Sequence, residues 1–330
     1  MTVKQELAKK ILNSENPFPH IIGLEHVKSE IISAIVAQHH IILVGAPGMG
    51  KTTIAKELTY LLNTKARGQT DAKKHDSLRI IDNGNSHFVR IQGSPDLTVE
   101  DIMGDIDPAK AMKYGSSSIE AFVPGKIFKA NESILFFDEL NRCPQKLQNA
   151  LLQVLEEGTV TIGNYDFDFG SDFLLIGTMN PEDAASEELS DVFLDRVDVI
   201  YVNYPEKLSE ETEIIKIRGS RICDFPDDLL NYALGFVRDL RKNEQVEKKP
   251  SVRASISLYE RSQANALLAG RKKVEASDVK NALVSVLSHR IKLKPSAEYL
   301  EKEEEFVKRE FDIFFNNQLR KKQRESGDSG

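Results

Sequence analysis

A glycine-rich loop between a strand pattern and a helix pattern constrains the fold of this chain more than any other feature. The loop reads Gly-Ala-Pro-Gly-Met-Gly-Lys-Thr over residues 45–52 and matches the phosphate-loop pattern G-x-x-x-x-G-K-[ST]. It follows the apolar run Ile41–Val44 and precedes a helical pattern that starts at Thr53. Glycines let backbone N–H groups turn toward a phosphate, and a helix N-terminus adds partial positive charge. The sequence therefore predicts a nucleotide-phosphate site here.

Two acidic residues indicate chemistry beyond phosphate binding. The apolar run that ends at Phe137 leads directly into Asp138 and Glu139, at the carboxyl end of a predicted strand. In open α/β sheets that edge faces the ligand crevice. We expect Lys51 to reach the β- and γ-phosphates, and Asp138 and the Thr52 hydroxyl to hold a hydrated Mg²⁺. Glu139 is then placed to polarise the attacking water.

A neutral polar residue follows a third predicted strand. The run Phe173–Ile176 continues through Gly-Thr-Met to Asn180 and Pro181. An amide at the tip of a neighbouring strand can orient the hydrolytic water without adding charge. An Asn-Pro pair is equally a turn signal, so the pattern by itself leaves both interpretations open.

Strand and helix patterns alternate from residue 20 to about residue 205 and predict a doubly wound α/β sheet. The expected strands are Ile41–Val44, Phe88–Gln92, Ile134–Phe137, Phe173–Ile176 and Val197–Val202. The expected helices are Leu24–Ala37, Lys51–Leu62, Gln145–Glu157 and Glu187–Leu194. Most of these strands are continuous apolar runs, as expected for parallel strands that are covered on both faces.

Only helical patterns follow residue 205, at about 209–218, 226–241, 252–269, 277–289 and 297–318. We therefore expect an αβα nucleotide-binding domain over 1–205, an all-α domain over 206–318 and a disordered tail over 319–330. The polar residues 64–86 read as a surface insertion.

Two further insertions interrupt the alternating pattern. Residues 159–169 alternate around Gly163 and Asn164, which predicts a β-hairpin with a two-residue turn. Residues 93–130, which include a short helical pattern at Val99–Met103, stand where the helix after the second strand is expected. Both insertions are either surface loops or elements that face a partner or a pore, and we favour the second interpretation because such lengths are uncommon without function.

Composition excludes several classes of protein. No apolar run of the 330 residues approaches the roughly 20 residues of a membrane span, and the first residues lack a signal-peptide pattern, so we expect a cytoplasmic protein. Cys143 and Cys223 lack metal-ligand spacing and are expected to be unpaired thiols. The net charge of −7 argues against sequence-independent binding of nucleic acid, which draws on clustered Lys and Arg.

Four segments together resemble the AAA+ ATPases, and specifically the MoxR-like branch related to the ATPase subunits of magnesium and cobalt chelatases. They are the phosphate loop, Phe-Phe-Asp-Glu-Leu-Asn-Arg-Cys-Pro at 136–144, Gly-Thr-Met-Asn-Pro at 177–181 and Phe-Leu-Asp-Arg at 193–196. Val-Arg-Ala-Ser at 252–255 supports the same branch. The resemblance covers roughly residues 17–292. It implies a five-stranded parallel sheet with helices on both faces, followed by a helical lid.

The resemblance also implies roles for particular residues. Asn180 is similar to the sensor-1 residue, and Arg196 to the arginine finger that completes the active site of a neighbouring subunit. Arg253 is similar to the sensor-2 arginine, which reaches the γ-phosphate from the lid. The nucleotide-binding residues implied are Ile22, beside the adenine, and Gly45, Ala46, Pro47, Gly48, Met49, Gly50, Lys51, Thr52 and Thr53.

Members of this branch are hexameric, ATP- and Mg²⁺-dependent remodelling machines, usually with a von Willebrand factor A-domain partner. The resemblance therefore implies a homo-oligomeric ring, a separate adaptor protein and a client that the sequence does not name. Two alternatives stay open. The first is a nucleic-acid motor, because related AAA+ helicases use the same two insertions. The second is a low-turnover ATP switch or scaffold.

Overall fold

The computed structural model describes residues 1–62, 88–115, 118–161, 168–181, 183 and 187–327. The predicted insertion 64–86 therefore lies outside the described residues, as does the predicted turn at Gly163 and Asn164. The chain divides into two compact units, Met1–Asn203 and Tyr204–Gly330.

The first unit is built on a five-stranded parallel sheet, and all five predicted strands are present. The strands of the first unit are β1 (His40–Val44), β2 (Phe88–Gln92), β3 (Gly104–Ile106), β4 (Phe122–Pro124), β5 (Ser133–Asp138), β6 (Thr159–Thr161), β7 (Asp168–Gly170), β8 (Phe173–Met179) and β9 (Val197–Tyr201). The five strands of the parallel sheet stand in the order β2-β5-β8-β1-β9. Every residue of β1 is buried, as are the first five of β5 and the first six of β8. These central strands are covered on both faces, which their continuous apolar runs predict.

The helices of the first unit follow the alternating pattern. They are α1 (Val3–Leu12), α2 (Glu25–Val36), α3 (Lys51–Leu62), α4 (Val99–Met103), α5 (Pro108–Tyr114), α6 (Lys126–Lys129), α7 (Gln145–Glu157) and α8 (Asp191–Leu194). Helix α1 was not predicted. A capping box between Thr2 and Gln5 begins this helix, and its buried residues are Val3, Leu7 and Ile11.

The prediction of a helix over Glu187–Leu194 is wrong in its first half. The helix α8 begins only at Asp191, because the Ser190 side chain caps it by accepting the N–H of Phe193. The N–H of Glu187 instead donates to the backbone oxygen of Asn141 at 2.7 Å. The segment before α8 is thus held by the turn that follows β5.

Both predicted insertions contain antiparallel strand pairs. Residues 93–130 form α4, the pair β3–β4 and α5, and the predicted helix Val99–Met103 is confirmed. In the second insertion β6 pairs with β7, which confirms a hairpin. Its register differs from the predicted one, since Thr161 lies opposite Asp168 rather than Asp166, the residue that a two-residue turn at 163–164 would require.

The second unit is helical with one small sheet. Its helices are α9 (Leu208–Arg218), α10 (Asp227–Lys242), α11 (Val252–Leu268), α12 (Ala276–Leu287), α13 (Pro295–Glu298) and α14 (Glu303–Gly327). The sequence analysis missed β10 (Val246–Lys248) and β11 (Lys292–Leu293), which pair antiparallel. The predicted single helix over 297–318 is instead the short α13 and the separate α14, which ends within the segment expected to be a tail.

Candidate active site

The glycine loop joins β1 to α3 and has the backbone that its sequence requires. Gly48 and Gly50 have φ angles of 83° and 87°, in the left-handed region that favours glycine. A Cβ on Gly45 would lie 2.4 Å from the backbone oxygen of Val202, so only glycine fits there. A Cβ on Gly50 would meet nothing within 4 Å, so its surroundings are open.

The side chains of the glycine loop and of the first turn of α3 differ in their burial. Met49 is buried and Pro47 is exposed, whereas Thr52 and Thr53 are half-buried in the first turn of α3. The ammonium of Lys51 donates to the backbone oxygens of Gly45 and Ala46, at 3.0 Å for Ala46. The Lys51 ammonium therefore lies against the loop whose backbone is predicted to bind phosphate.

The sheet register brings the two acids beside a buried threonine. Phe137 of β5 pairs with Gly177 of β8, so the next residues along each strand, Asp138 and Thr178, are neighbours. The Thr178 hydroxyl donates to Asp138 Oδ1 at 2.7 Å and accepts the backbone N–H of Glu139 at 2.9 Å. Thr178 is only 1% exposed. One hydroxyl thus fixes both acids, and the sequence analysis did not single it out, although a polar residue at the end of an apolar strand was a signal.

Strand β2 supplies polar side chains to the same two acids. Arg90 donates to Asp138 Oδ2 at 2.7 Å, and the Gln92 amide donates to Glu139 Oε2 at 2.9 Å. A Cβ on Gly93 would lie 2.1 Å from the backbone oxygen of Glu139, so glycine permits this close approach. The position of Arg90 and Gln92 beside the acids was not predicted, because it depends on the pairing of β2 with β5.

The carboxylate of Glu139 also contacts the short 3₁₀ turn Leu140–Arg142. Glu139 has a φ of 55°, an uncommon conformation for a residue with a side chain. Arg142 lies 2.9 Å from Glu139 Oε2 and 2.5 Å from Asp183 Oδ2. The hydrogen bond to Asp183 raises the pKa of the Arg142 guanidinium, although its partial burial works in the other direction, and Glu139 adds to the rise.

Asn180 lies at the tip of β8, beside the end of β5. The buried amide of Asn141 donates to the Asn180 backbone oxygen at 3.2 Å, and the N–H of Asp183 donates to the same oxygen at 3.3 Å. The structure therefore brings Asn180 to the same sheet edge as Asp138 and Glu139, in agreement with the expectation of an amide at the tip of a neighbouring strand.

Ile22 lies in the segment between α1 and α2 and is half-buried. It precedes two residues with positive φ, Gly23 at 63° and Leu24 at 59°. The segment is tied to the phosphate-loop helix, because His20 Nδ1 lies 2.8 Å from Oε1 of Glu57 on α3. The segment therefore lies against α3, and the expectation that Ile22 lies beside the adenine stays a prediction.

Two arginines with predicted roles remain, Arg196 and Arg253. Arg196 lies between α8 and β9, and its side chain is 38% exposed. Its guanidinium pairs with Glu156 on α7, with Nε 2.6 Å from Oε1. Arg253 lies in the first turn of α11, in the second unit, and is exposed.

A glycine loop between β1 and α3, an acid pair after β5 and a polar residue after β8 define a P-loop ATPase of the AAA+ class. The first unit gives the nucleotide-binding fold and the second the helical lid. The family model described as magnesium chelatase, subunit ChlI, matches residues 17–212, and the AAA lid domain model matches residues 238–310. The chain belongs to this magnesium chelatase and MoxR-like family of AAA+ ATPases.

Individual relatives agree with this assignment. The uncharacterized protein YeaC of Bacillus subtilis is 27% identical, over 84% of this chain and 85% of its own. The chaperone MoxR1 of Mycobacterium tuberculosis is also 27% identical, over 83% of this chain and 73% of its own. A solved structure of a Thermotoga maritima RuvB mutant, 18% identical, covers 81% of this chain and 70% of its own with a TM-score of 0.50, which supports the fold alone.

Two features are absent from the described residues. No helix there is long and apolar enough to cross a membrane. No group of three or more His, Cys, Asp or Glu side chains in the same part of the chain could hold a metal ion by itself.

Proposed function

We propose that this ATPase hydrolyses ATP with Mg²⁺ at the edge formed by β1, β5 and β8. The observation that carries the proposal is the Thr178 hydroxyl, which contacts Asp138 and the backbone of Glu139 at once. The Thr178 hydroxyl sets the direction of both acids relative to β1, the strand that leads into the phosphate loop. Asp138 and Glu139 share the Thr178 contact but have different neighbours. This difference suits one acid to hold the metal and the other to polarise the water.

The residues at this edge fit Mg²⁺ as the metal. Mg²⁺ prefers hard oxygen ligands and is commonly held by one or two protein groups together with substrate phosphates and water. Asp138 offers a carboxylate whose Oδ1 is already oriented by Thr178, and Thr52 offers a hydroxyl in the first turn of α3. When bound, the ion neutralises negative charge on the phosphates.

Glu139 is proposed as the group that polarises the attacking water, and Asn180 as the amide that orients it. Gln92 and Arg142 both contact the Glu139 carboxylate and hold it in a defined direction. A general base must be deprotonated to accept a proton. Lys51 is proposed to bind the β- and γ-phosphates, with the backbone of residues 45–50 and Thr53 around them and Ile22 beside the adenine.

The decisive experiment compares Glu139→Gln with wild type. The variant keeps the phosphate-loop and metal contacts, so it should bind ATP normally, while turnover falls by about 10²–10⁴, as is typical after loss of a general base. Lys51→Ala should instead lose nucleotide binding. Glu100→Gln, an exposed acid on α4, is the matched control and should behave as wild type. Equal turnover in Glu139→Gln and wild type would refute the assignment.

We further propose that the ATPase acts as a cytoplasmic homo-oligomeric ring, a hexamer, that remodels a partner protein complex or assists insertion of a metal cofactor. The support is its family, since MoxR1 is named a chaperone and the matching family model is that of a magnesium chelatase subunit. A von Willebrand factor A-domain protein is the proposed adaptor. In this role Arg196 serves the neighbouring subunit and Arg253 senses the γ-phosphate.

A pull-down tests the proposed client role. Glu139→Gln held in ATP should retain the client and adaptor, whereas wild type with ADP should release them. Recovery of the same proteins in both nucleotide states would contradict a remodelling cycle. A nucleic-acid motor would show ATP hydrolysis stimulated by DNA, and we expect none because the net charge is −7.

A further inference from the structure

A cavity in the second unit is lined by residues that have no role in the proposed nucleotide chemistry. Its volume is about 480 Å³, and it is lined by α11, the end of α12 and the loop after α9. Pockets for small organic molecules span roughly 300–1,000 Å³. Its walls include the apolar side chains of Ile222, Ala264 and Val286 together with hydroxyl and cationic groups. The cavity therefore suits a ligand with both an apolar part and a charged part.

Arg290 brings a half-buried positive charge to this cavity. Its guanidinium donates to the backbone oxygen of Val286 at 2.6 Å and to Ser257 Oγ at 3.2 Å. Both acceptors are neutral, and no carboxylate pairs with Arg290 among the described residues. Burial lowers the pKa of Arg290. A charge that is partly removed from water without an opposite charge is costly, and an anion would offset that cost.

Arg261 brings a second cation to the same wall. It follows Ser257 by four residues on α11, so the two lie on one helix face. Arg261 is exposed and makes no hydrogen bond or ion pair in the part of the chain that the structure describes. The one carboxylate in the lining belongs to Glu260, and it already accepts the N–H of Ser220 at 2.9 Å. The lining of the cavity thus holds two arginines but only one carboxylate, and that carboxylate already accepts a hydrogen bond.

We propose that this cavity binds a small organic anion, with a carboxylate or phosphate paired to Arg261 and Arg290 and the carbon chain against Ile222 and Ala264. The planar guanidinium donates two parallel hydrogen bonds to such oxyanions, and these charge-assisted bonds are stronger than neutral ones. The site is separate from the nucleotide chemistry and does not depend on the function proposed above.

Titration of the full chain with two probes tests the proposal. Glutarate and n-butyl phosphate carry the two kinds of oxyanion on short carbon chains, and saturating ADP keeps phosphate out of the glycine loop. Methyl NMR signals of Ile222, Ala264 and Val286 should shift saturably with at least one probe, at constant ionic strength. A response to one probe alone identifies the oxyanion that the site prefers, and a response to both shows that it accepts either.

Variants separate a built site from general charge attraction. Arg261→Gln should raise the dissociation constant about tenfold or more, because one charge-assisted contact is lost. Arg218→Gln removes an equally exposed arginine of α9 that does not line the cavity, and it should bind as wild type. The proposal is overturned if neither probe gives a saturable shift at tens of millimolar, or if both variants weaken binding equally.

Discussion

Thr178 holds two hydrogen bonds at the centre of the candidate active site, one with each of the two acids. Its hydroxyl is buried, so removing it would leave Asp138 Oδ1 and the Glu139 N–H each without that partner. An unsatisfied buried polar group costs about 1–3 kcal/mol. The effect on catalysis should be larger than the effect on binding, because the glycine loop does not depend on this hydroxyl.

Thr178→Val therefore should lower kcat at least tenfold, with a smaller change in ATP affinity. The shape of the side chain is kept, so the lost groups are the two hydrogen bonds. Thr59→Val is the matched control, since Thr59 is also fully buried but its hydroxyl donates only to Ala55 within α3. Both variants should lose comparable stability in urea unfolding. An unchanged kcat in Thr178→Val would mean that the hydroxyl serves packing alone.

The acids themselves could be predicted from the sequence, whereas their neighbours could not. Asp138 and Glu139 end an apolar run, and that pattern is local. Thr178, Arg90 and Gln92 reach the acids only through the pairing of β5 with β8 and β2. Strand register is a long-range property, so a single sequence does not reveal which polar side chains become neighbours.

At the scale of elements, burial on both faces made the strands of the sheet predictable, whereas the shortest strands could not be predicted. The central strands and α3, α7 and α11 follow from long apolar patterns. The strands β10 and β11 have three and two residues, too few to show any period. The start of α8 was wrong because Ser190 is a capping residue inside a helical pattern. Local capping chemistry prevailed over periodicity there.

A buried histidine links β1 to β8 and makes the sheet sensitive to acid. The Nδ1 of His40 accepts the N–H of Leu175 at 3.0 Å, so the folded protein needs the neutral ring. Burial above all, with Lys4 and His39 adding to it, lowers the pKa of His40 to about 3 from an ordinary 6.5. The unfolded chain binds this proton below pH 6.5 and the folded chain does not. Stability from this group is therefore present above pH 6.5 and is lost as pH falls toward 3.

We expect the free energy of unfolding of wild type to fall by up to about 1.4 kcal/mol per pH unit from this residue between pH 6 and pH 4. His40→Gln removes the titrating ring, so the variant should be less stable at pH 7 but should show a shallower loss below pH 6. His26→Gln, an exposed histidine on α2, is the control and should keep the wild-type slope. Parallel curves for wild type and His40→Gln would contradict this role.

Three helices of the second unit meet at one buried carboxylate. Glu211 of α9 is fully buried and accepts two hydrogen bonds from Arg241 of α10, at 2.8 and 2.7 Å, and one from Ser255 of α11 at 2.7 Å. Burial alone would raise the pKa of Glu211, but the bonds from Arg241 and Ser255 outweigh it and lower the pKa. Arg238 of α10 also pairs with Glu211, at 3.2 Å, so the ionised carboxylate is shared by two arginines of the same unit.

Glu211→Gln should destabilise the second unit by about 3–5 kcal/mol, the usual cost of leaving one member of a buried ion pair without its partner. Glu213→Gln, an exposed acid on the same helix, should change stability by less than about 0.5 kcal/mol. Chemical unfolding of the two variants measures this difference. A loss below about 1 kcal/mol in Glu211→Gln would show that Arg241 finds compensation elsewhere.

At the scale of the whole molecule, the question is whether one chain holds a complete active site. Arg196 is the residue that decides it. Within the chain its guanidinium pairs with Glu156, and both side chains are about 40% exposed. An exposed ion pair contributes about 0–1 kcal/mol to stability, so it can open at little cost. Opening this pair would free the Arg196 guanidinium, as its proposed role toward a neighbouring subunit requires.

If Arg196 acts on a neighbouring subunit, Arg196→Ala should bind ATP normally but hydrolyse it about 10³-fold or more slowly, because an arginine supplied in trans is worth about 10³–10⁵ in rate. Mixing Arg196→Ala with Lys51→Ala should restore part of the activity, since some interfaces then join an intact glycine loop to an intact arginine. Glu156→Gln is the control, because it breaks the same ion pair but keeps the arginine, and it should keep its activity. Equal losses in Arg196→Ala and Glu156→Gln, with no recovery on mixing, would show that the pair serves only its own chain.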